Sequence, residues 1–586
     1  MAHDTTTTQG TESPRDGLRG WCVLFCALLP TLAAVWLVPW FVTQDGPSHL
    51  YNAEIIAATF DPESSFRDYF QVRWQALPNW AGHVLTAGLM KVFPPREADR
   101  VLLTVTLAGF AGAIVWLRAR VAGERGLWLT SLVATLLGLN LTWLFGFTSF
   151  LLGACLFPIT LGVWWASREH LSWGRVAGLA ALLVLGYFCH LVSLGLTVIG
   201  VIVLALLTPG PDRVTRGVRT ALALVPLVPL GLVYLSQSRQ GGKMRPVWGQ
   251  LTNPFSPKAW LHQLTAIDPI TLASKGTIPL TGRHSSWFGL MSPAIWLALG
   301  LGLIALAVIL KRDCASPARF SQRRGWVALA ALLLIGGLVG PDSLGSNHGD
   351  FLPQRLILLG LVALLPALDL QAVFGPTDER PARSPVRVAH LAGVALVVAL
   401  AVQSALVWEY ALTSDERVGN FVRARVAIGR GDRVATLLNH FRGRFRVNPL
   451  LHADCLLGLD TQSIIWSDYE TRYYYFPVQF RTGVERPASN DLEVISTSGD
   501  SDDRTRRALA WERLLEQHHQ SIDALLVWGT DPDLDPISER WFEPVFEEGK
   551  TRVLKPRASF TPGGPGRVTS SPHASARITS SRSAVP

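Results

Sequence analysis

Apolar residues come in blocks along roughly the first 410 positions of this chain, each near the ~18 residues that cross a bilayer. Short stretches rich in Arg, Gly and Pro close the blocks. They fall at about 20–42, 99–117, 126–142, 146–166, 174–188, 191–207, 218–236, 293–310, 326–340, 352–374 and 388–409, and predict about eleven membrane-spanning helices. Two of the intervening segments, 43–98 and 237–292, are too long for simple connectors. In the first, apolar spacing predicts helices over 52–60 and 80–93. A third, short segment at 340–350 is Gly-rich and polar, and runs into Arg355. After Trp408 the apolar runs shorten and charge density rises. The mixed pattern over 410–555 predicts an α/β domain, with helices at 415–428 and 506–518 and buried strands at Arg433–Leu438 and Ala524–Trp528. Residues 1–18 and 556–586 lack an apolar pattern and read as disordered ends.

The fold class expected is therefore an α-helical polytopic membrane protein with a C-terminal extracytoplasmic α/β domain, the membrane part covering 19–409. Orientation follows from Lys and Arg, which are held on the cytoplasmic side of spans. Arg15 and Arg19, Arg118 to Arg125, Arg168 and Arg175, Arg213 to Arg219, Lys311 to Arg324 and Arg380 to Arg387 alternate with turns near 140–146, 190 and 341–350 that carry none. The N-terminus is expected in the cytoplasm, and the loop after the first span and the C-terminal domain outside, in a multi-pass plasma (inner) membrane protein. The first apolar block lacks a small-residue cleavage site and reads as a retained anchor.

Composition agrees with a bilayer environment: 49% hydrophobic and 17% charged residues, with a mean hydropathy of +0.27. The formal net charge of +9 is largely the topological bias just described, so it carries no nucleic-acid reading. Six cysteines are spread along the chain without zinc-site spacing or a disulfide framework.

The most informative polar motif is Gln44-Asp45-Gly46-Pro47-Ser48-His49, directly after the first block. If a helix starts near Pro47, one turn carries Asp45 and His49 to the same side. The pair is either a capped, solvated helix start or an ionisable pair with a function at the membrane face. A carboxylate there, long outer loops, an exported domain and cations at interface depth together suit sugar transfer from a lipid-linked donor. Such a donor keeps its polyprenyl tail in the bilayer and its phosphate at the headgroups. Asp45 would accept the acceptor's proton or hold a divalent metal. Arg355, and Arg283 with His284 in the second long loop, are candidates for the phosphate. Asp68 is a candidate second acid in the first loop, against the alternative of a surface salt bridge. His348 and Asp350 are candidates to line the cavity from the short turn. His83 and Lys91 read as interfacial side chains. The segments 448–454, 468–470 and 473–477 concentrate polar and aromatic groups, which suits either sugar contact or an aromatic core.

This organisation resembles the GT-C superfamily of integral-membrane glycosyltransferases, such as protein O-mannosyltransferases and the aminoarabinose transferases of lipid A. Asp45 matches the acidic position that opens the family's first outer loop, Gly46 replaces a second acid, and His49-Leu50-Tyr51 resembles the residues that follow. The resemblance implies a polyprenyl-phosphate or polyprenyl-diphosphate sugar as donor and a glycan, lipid or protein as acceptor. It also implies His190 lining the donor groove and a divalent cation, Mg or Mn, at Asp45. The rival readings are a transporter or lipid flippase, which would place polar groups on broken helices near mid-bilayer, and a non-catalytic scaffold with an outer recognition domain.

Overall fold

The computed structural model describes residues 14–210, 212–239, 245–248, 317–345, 349, 351–368, 383–443, 445, 447–498 and 504–558. The expected span at 293–310, most of the loop 237–292, and Arg283, His284, His348 and Asp350 lie outside the described residues, as do both chain ends and 369–382.

The chain is predominantly helical. Among the described residues five helices are long and apolar enough to cross a membrane: Arg15–Leu37, Pro95–Ala122, Leu127–Phe145, Thr148–Ser167 and Ala389–Ala427. The pair Arg213–Leu224 and Leu227–Ser238 makes a sixth if its 44° bend is counted within one span. Pro226 causes that bend, because it has no N–H to continue the helical ladder. Trp173–Cys189, Leu191–Leu207 and Leu352–Ala367 are apolar but shorter. Several blocks that read as complete spans in the sequence thus fold as short or bent helices. Exposed Val225, Val228, Leu232 and Leu235 give the bent pair an apolar outer face suited to lipid.

The last apolar block does not end at the membrane. Helix Arg383–Arg423 is a single rod of 41 residues, about 60 Å at ~1.5 Å per residue. The helix expected at 415–428 is mostly its continuation, followed by a short 3₁₀ turn. Beyond it, β2 (Arg433–Leu438), β3 (Ile464–Ile465), β5 (Ala524–Trp528), β6 (Phe542–Glu548) and β7 (Thr551–Pro556) form one sheet in the order β3-β2-β5-β7-β6. β2 runs parallel to β3 and β5, while β7 is antiparallel to β5 and β6. The parallel strands β2 and β5 are almost wholly buried and apolar, as strands covered on both faces must be.

The first long loop is built into this C-terminal body. Its strand β1 (Phe70–Val72) pairs antiparallel with β4 (Val478–Phe480), setting Phe70 opposite Phe480. Leu50, Tyr51, Phe66 and Trp80 share an apolar core with Val434, Trp466 and Leu525. Tyr51, fully buried on helix Gly46–Ala58, anchors the join: its hydroxyl donates to the Ser463 carbonyl at 2.7 Å and accepts the Ile465 N–H at 3.1 Å. A side chain at Gly458 would collide with the Tyr51 ring. Tyr51→Phe removes both bonds and is expected to cost about 1–3 kcal/mol, because two buried backbone groups lose a partner. A lower unfolding temperature in detergent checks this, and an unchanged one contradicts it.

Candidate active site

Asp45 sits at the N-cap of helix Gly46–Ala58, with Pro47 in the first turn, yet its side chain makes no capping hydrogen bond. The carboxylate is directed elsewhere. Tyr469 Oη donates to Asp45 Oδ2 at 3.3 Å, and His452 Nε2 lies 3.8 Å from Oδ1. Burial pushes the Asp45 carboxyl up to about 7, against the opposing pull of His49 and the Tyr469 hydrogen bond. His452 is held down at about 3 by burial and by the Arg472 guanidinium, so it faces Asp45 as a neutral imidazole. A carboxylate poised near neutrality is suited to accept a proton.

One turn further, His49 pairs with Glu470, a carboxylate from the 3₁₀ turn Tyr469–Arg472 of the C-terminal body. His83 Nε2, from helix Trp80–Leu89, reaches the other oxygen of Glu470 at 2.6 Å. All three side chains are buried. Burial pushes the Glu470 carboxyl up, but the charges and hydrogen bonds of His83 and His49 outweigh it and hold it at about 2. Burial lowers His49, yet Glu470 and Asp45 together carry it up to about 9. A turn away on the same helix, Ser48 Oγ donates to Asp468 at 2.7 Å and Asn52 Nδ2 donates to it at 3.0 and 3.1 Å. The C-terminal body therefore grips the helix that carries Asp45 through two carboxylates.

His190 and Arg355 line the same cavity. His190 is a single extended residue between helices Trp173–Cys189 and Leu191–Leu207, and its Nδ1 accepts the Val192 N–H at 3.1 Å. That bond leaves the proton of the neutral ring on Nε2, which lies 3.2 Å from Arg355 Nη1. Two donors face one another there, an arrangement that an anionic oxygen accepting from both would relieve. Arg355 is buried one turn into helix Leu352–Leu364, with its guanidinium over the Phe147 and Phe150 rings at 5.3 and 4.9 Å. Phe351, which leads into that helix, holds a left-handed backbone at φ 55°. Such a conformation in a bulky residue is strain retained at a site.

Asp45, His49, His190 and Arg355 line one cavity of about 620 Å³. Leu191, Leu196 and Ile199 form an apolar wall descending from His190, and Tyr469, Tyr473 and Phe476 form an aromatic wall beside Asp45. Gly195 leaves open space in the apolar wall, and Ile199 is exposed on the same helix. Gly349 and Leu344 bring the short turn to the rim.

Two expectations need correction. Asp68 is exposed and does not line the cavity, because it lies two residues from buried Phe66 on a one-turn helix and so points away. His83 is not an interfacial side chain but a buried partner of Glu470. Among the described residues the group able to hold a metal together is His49, His83 and Glu470, and it does not include Asp45. Sequence reasoning did not single out Glu470, His452 and Tyr469, whose only signal was the polar and aromatic density of 448–477.

No protein-family model and no curated protein matches the chain. Among solved structures it is similar to ArnT from Cupriavidus metallidurans bound to undecaprenyl phosphate, at 13% identity and a TM-score of 0.46, covering 93% of this chain and 99% of that one. The archaeal oligosaccharyltransferase AglB from Archaeoglobus fulgidus, in complex with an inhibitory peptide and a dolichol-phosphate, matches at 12% identity and 0.46, covering 94% and 75%. The arabinofuranosyltransferase AftD from Mycobacteria matches at 15% identity and 0.43, covering 92% and 40%.

Proposed function

We propose that this chain is a membrane glycosyltransferase of the GT-C type, which moves a sugar from a polyprenyl-phosphate carrier to an acceptor at the outer membrane face. The observation that carries this reading is the make-up of one cavity. Its lining includes a buried carboxylate, a guanidinium and an imidazole, and an apolar helix face that begins next to the imidazole. A lipid phosphate seated between Arg355 and His190 would accept from both donors, and its tail would follow Leu191, Leu196 and Ile199. The sugar would then project towards Asp45 and the aromatic wall, where ring faces suit sugar contact.

In the step itself, an acceptor hydroxyl attacks the anomeric carbon and Asp45 takes its proton. The bond from that carbon to the phosphate oxygen breaks, and the phosphate leaves with the electron pair under the charge of Arg355. The experiment that tests this offers purified full-length protein in detergent a panel of synthetic polyprenyl-phosphate sugars and measures release of the lipid phosphate. Turnover of at least one donor is the expected result. If native mass spectrometry finds no retained undecaprenyl phosphate and no donor is consumed, the reading fails.

The pH dependence has a defined sign. Asp45 must be deprotonated to accept a proton, and burial holds its carboxyl at about 7. Turnover should therefore rise about tenfold per pH unit on the acid side and level off above neutrality. A rate that stays flat between about pH 5 and pH 8 would take Asp45 out of the base role.

A further inference from the structure

The contact between the first loop and the C-terminal body contains a group of atoms whose hydrogen bonds do not balance with neutral rings. Glu470 directs one carboxylate oxygen at a His49 ring nitrogen, Nδ1, and the other at His83 Nε2, 2.6 Å away. The second nitrogen of His83, Nδ1, lies 3.0 Å from the Asn79 carbonyl oxygen. A carbonyl only accepts, so a neutral His83 gives its single N–H to the backbone. The lone pair left on its Nε2 then points at a lone pair of the Glu470 carboxylate. The centre needs positive charge there, supplied either by a second proton on His83 or by one divalent ion.

We infer that His49, His83 and Glu470 form a transition-metal site of the zinc class, which clasps the first loop to the C-terminal body. Three observations support a metal there. The three ligand atoms lie within 4.8 Å of one another and all three residues are buried. His83 presents the arrangement typical of metal ligands, with its outer ring nitrogen fixed by a backbone carbonyl that sets tautomer and ring orientation. The carbonyl that fixes His83 belongs to Asn79, a non-glycine residue held in the left-handed region at φ 66°. That backbone strain aims an acceptor at a ligand.

Two imidazoles and one carboxylate suit zinc, cobalt or nickel, and suit magnesium poorly, since magnesium takes oxygen ligands. Phe476 packs against the centre, with its ring 6.2 Å from His49 and 5.7 Å from His83. The ion would thus hold the first loop to the C-terminal body. This inference stands apart from the sugar-transfer reading, because neither the proposed phosphate-binding pair nor Asp45 enters it.

The test uses tag-free full-length protein in detergent. After incubation with zinc and removal of the excess, elemental analysis is expected to give about one zinc per chain. Stripping with a chelator should lower the unfolding temperature, and zinc should restore it. Cobalt in place of zinc should give the visible absorption of a low-coordinate Co(II) centre. His83→Gln and Glu470→Gln should lose the metal, whereas Asp45→Asn should keep it. Folded wild-type protein that takes up no zinc or cobalt overturns the inference, and so does metal retained in full by both ligand variants. The wild-type measurement decides the matter even if the variants misfold. Undecaprenyl phosphate retention, followed on the same samples by native mass spectrometry, reports separately on the cavity.

Discussion

Asp45→Asn is expected to reduce sugar transfer by about 10²- to 10⁴-fold, the range that a positioned general base contributes. The substitution is nearly isosteric, so Tyr469 keeps a partner 3.3 Å away and the helix start keeps Pro47. Asparagine cannot take the proton of the acceptor hydroxyl. Donor retention should be unaffected, because the proposed phosphate-binding pair, His190 and Arg355, is carried by other elements. Release of lipid phosphate from a polyprenyl-phosphate sugar is the readout for turnover, and native mass spectrometry with undecaprenyl phosphate is the readout for binding. Turnover within a few-fold of the parent protein would exclude Asp45 from the chemistry. Loss of both readouts together would make it a structural residue instead.

The second large effect belongs to Arg355. Its guanidinium is buried and packed against two phenylalanine rings, so any phosphate it meets is largely removed from water. Truncating one partner of such a charge pair costs about 2–5 kcal/mol, which is roughly 30-fold or more in affinity. Arg355→Gln should therefore release undecaprenyl phosphate at concentrations where the parent retains it. Arg355→Lys should recover only part of the loss, because a point charge cannot reproduce the planar fork or its stacking. Equal retention by the parent and Arg355→Gln would move the phosphate site elsewhere in the cavity. The two variants are complementary, since one removes chemistry and leaves binding while the other removes binding.

Much of the membrane architecture was legible because a bilayer imposes long apolar runs that no other environment demands. The four-residue spacing of Asp45 and His49 was legible for a related reason, as helical periodicity is a local property. What the sequence concealed was everything set by distant packing. Glu470 acquires its meaning from His83, 387 residues earlier. His83 lies on a helix that reads as apolar, and hydropathy does not distinguish a face turned to lipid from a face turned to a folded neighbour. Asp68 misled for the opposite reason: an acid in the right loop was set on a single turn that points it outward. The long helix Arg383–Arg423 was split by the rise in charge near 415, although the backbone continues unbroken into the C-terminal body.

The pairing of β1 with β4, and of Ser48 with Asp468 across 420 residues, also bears on how the protein is made. Chains emerge from the ribosome N-terminus first, at about 5–20 residues per second. The loop that carries Asp45 is thus synthesised on the order of half a minute before the strand and carboxylates that complete it. Through that interval the nascent chain holds an unpaired strand and exposed aromatic side chains, including Phe70 and Trp80, that later join the C-terminal core. The contacts that complete this loop can therefore form only after the C-terminal body has been made.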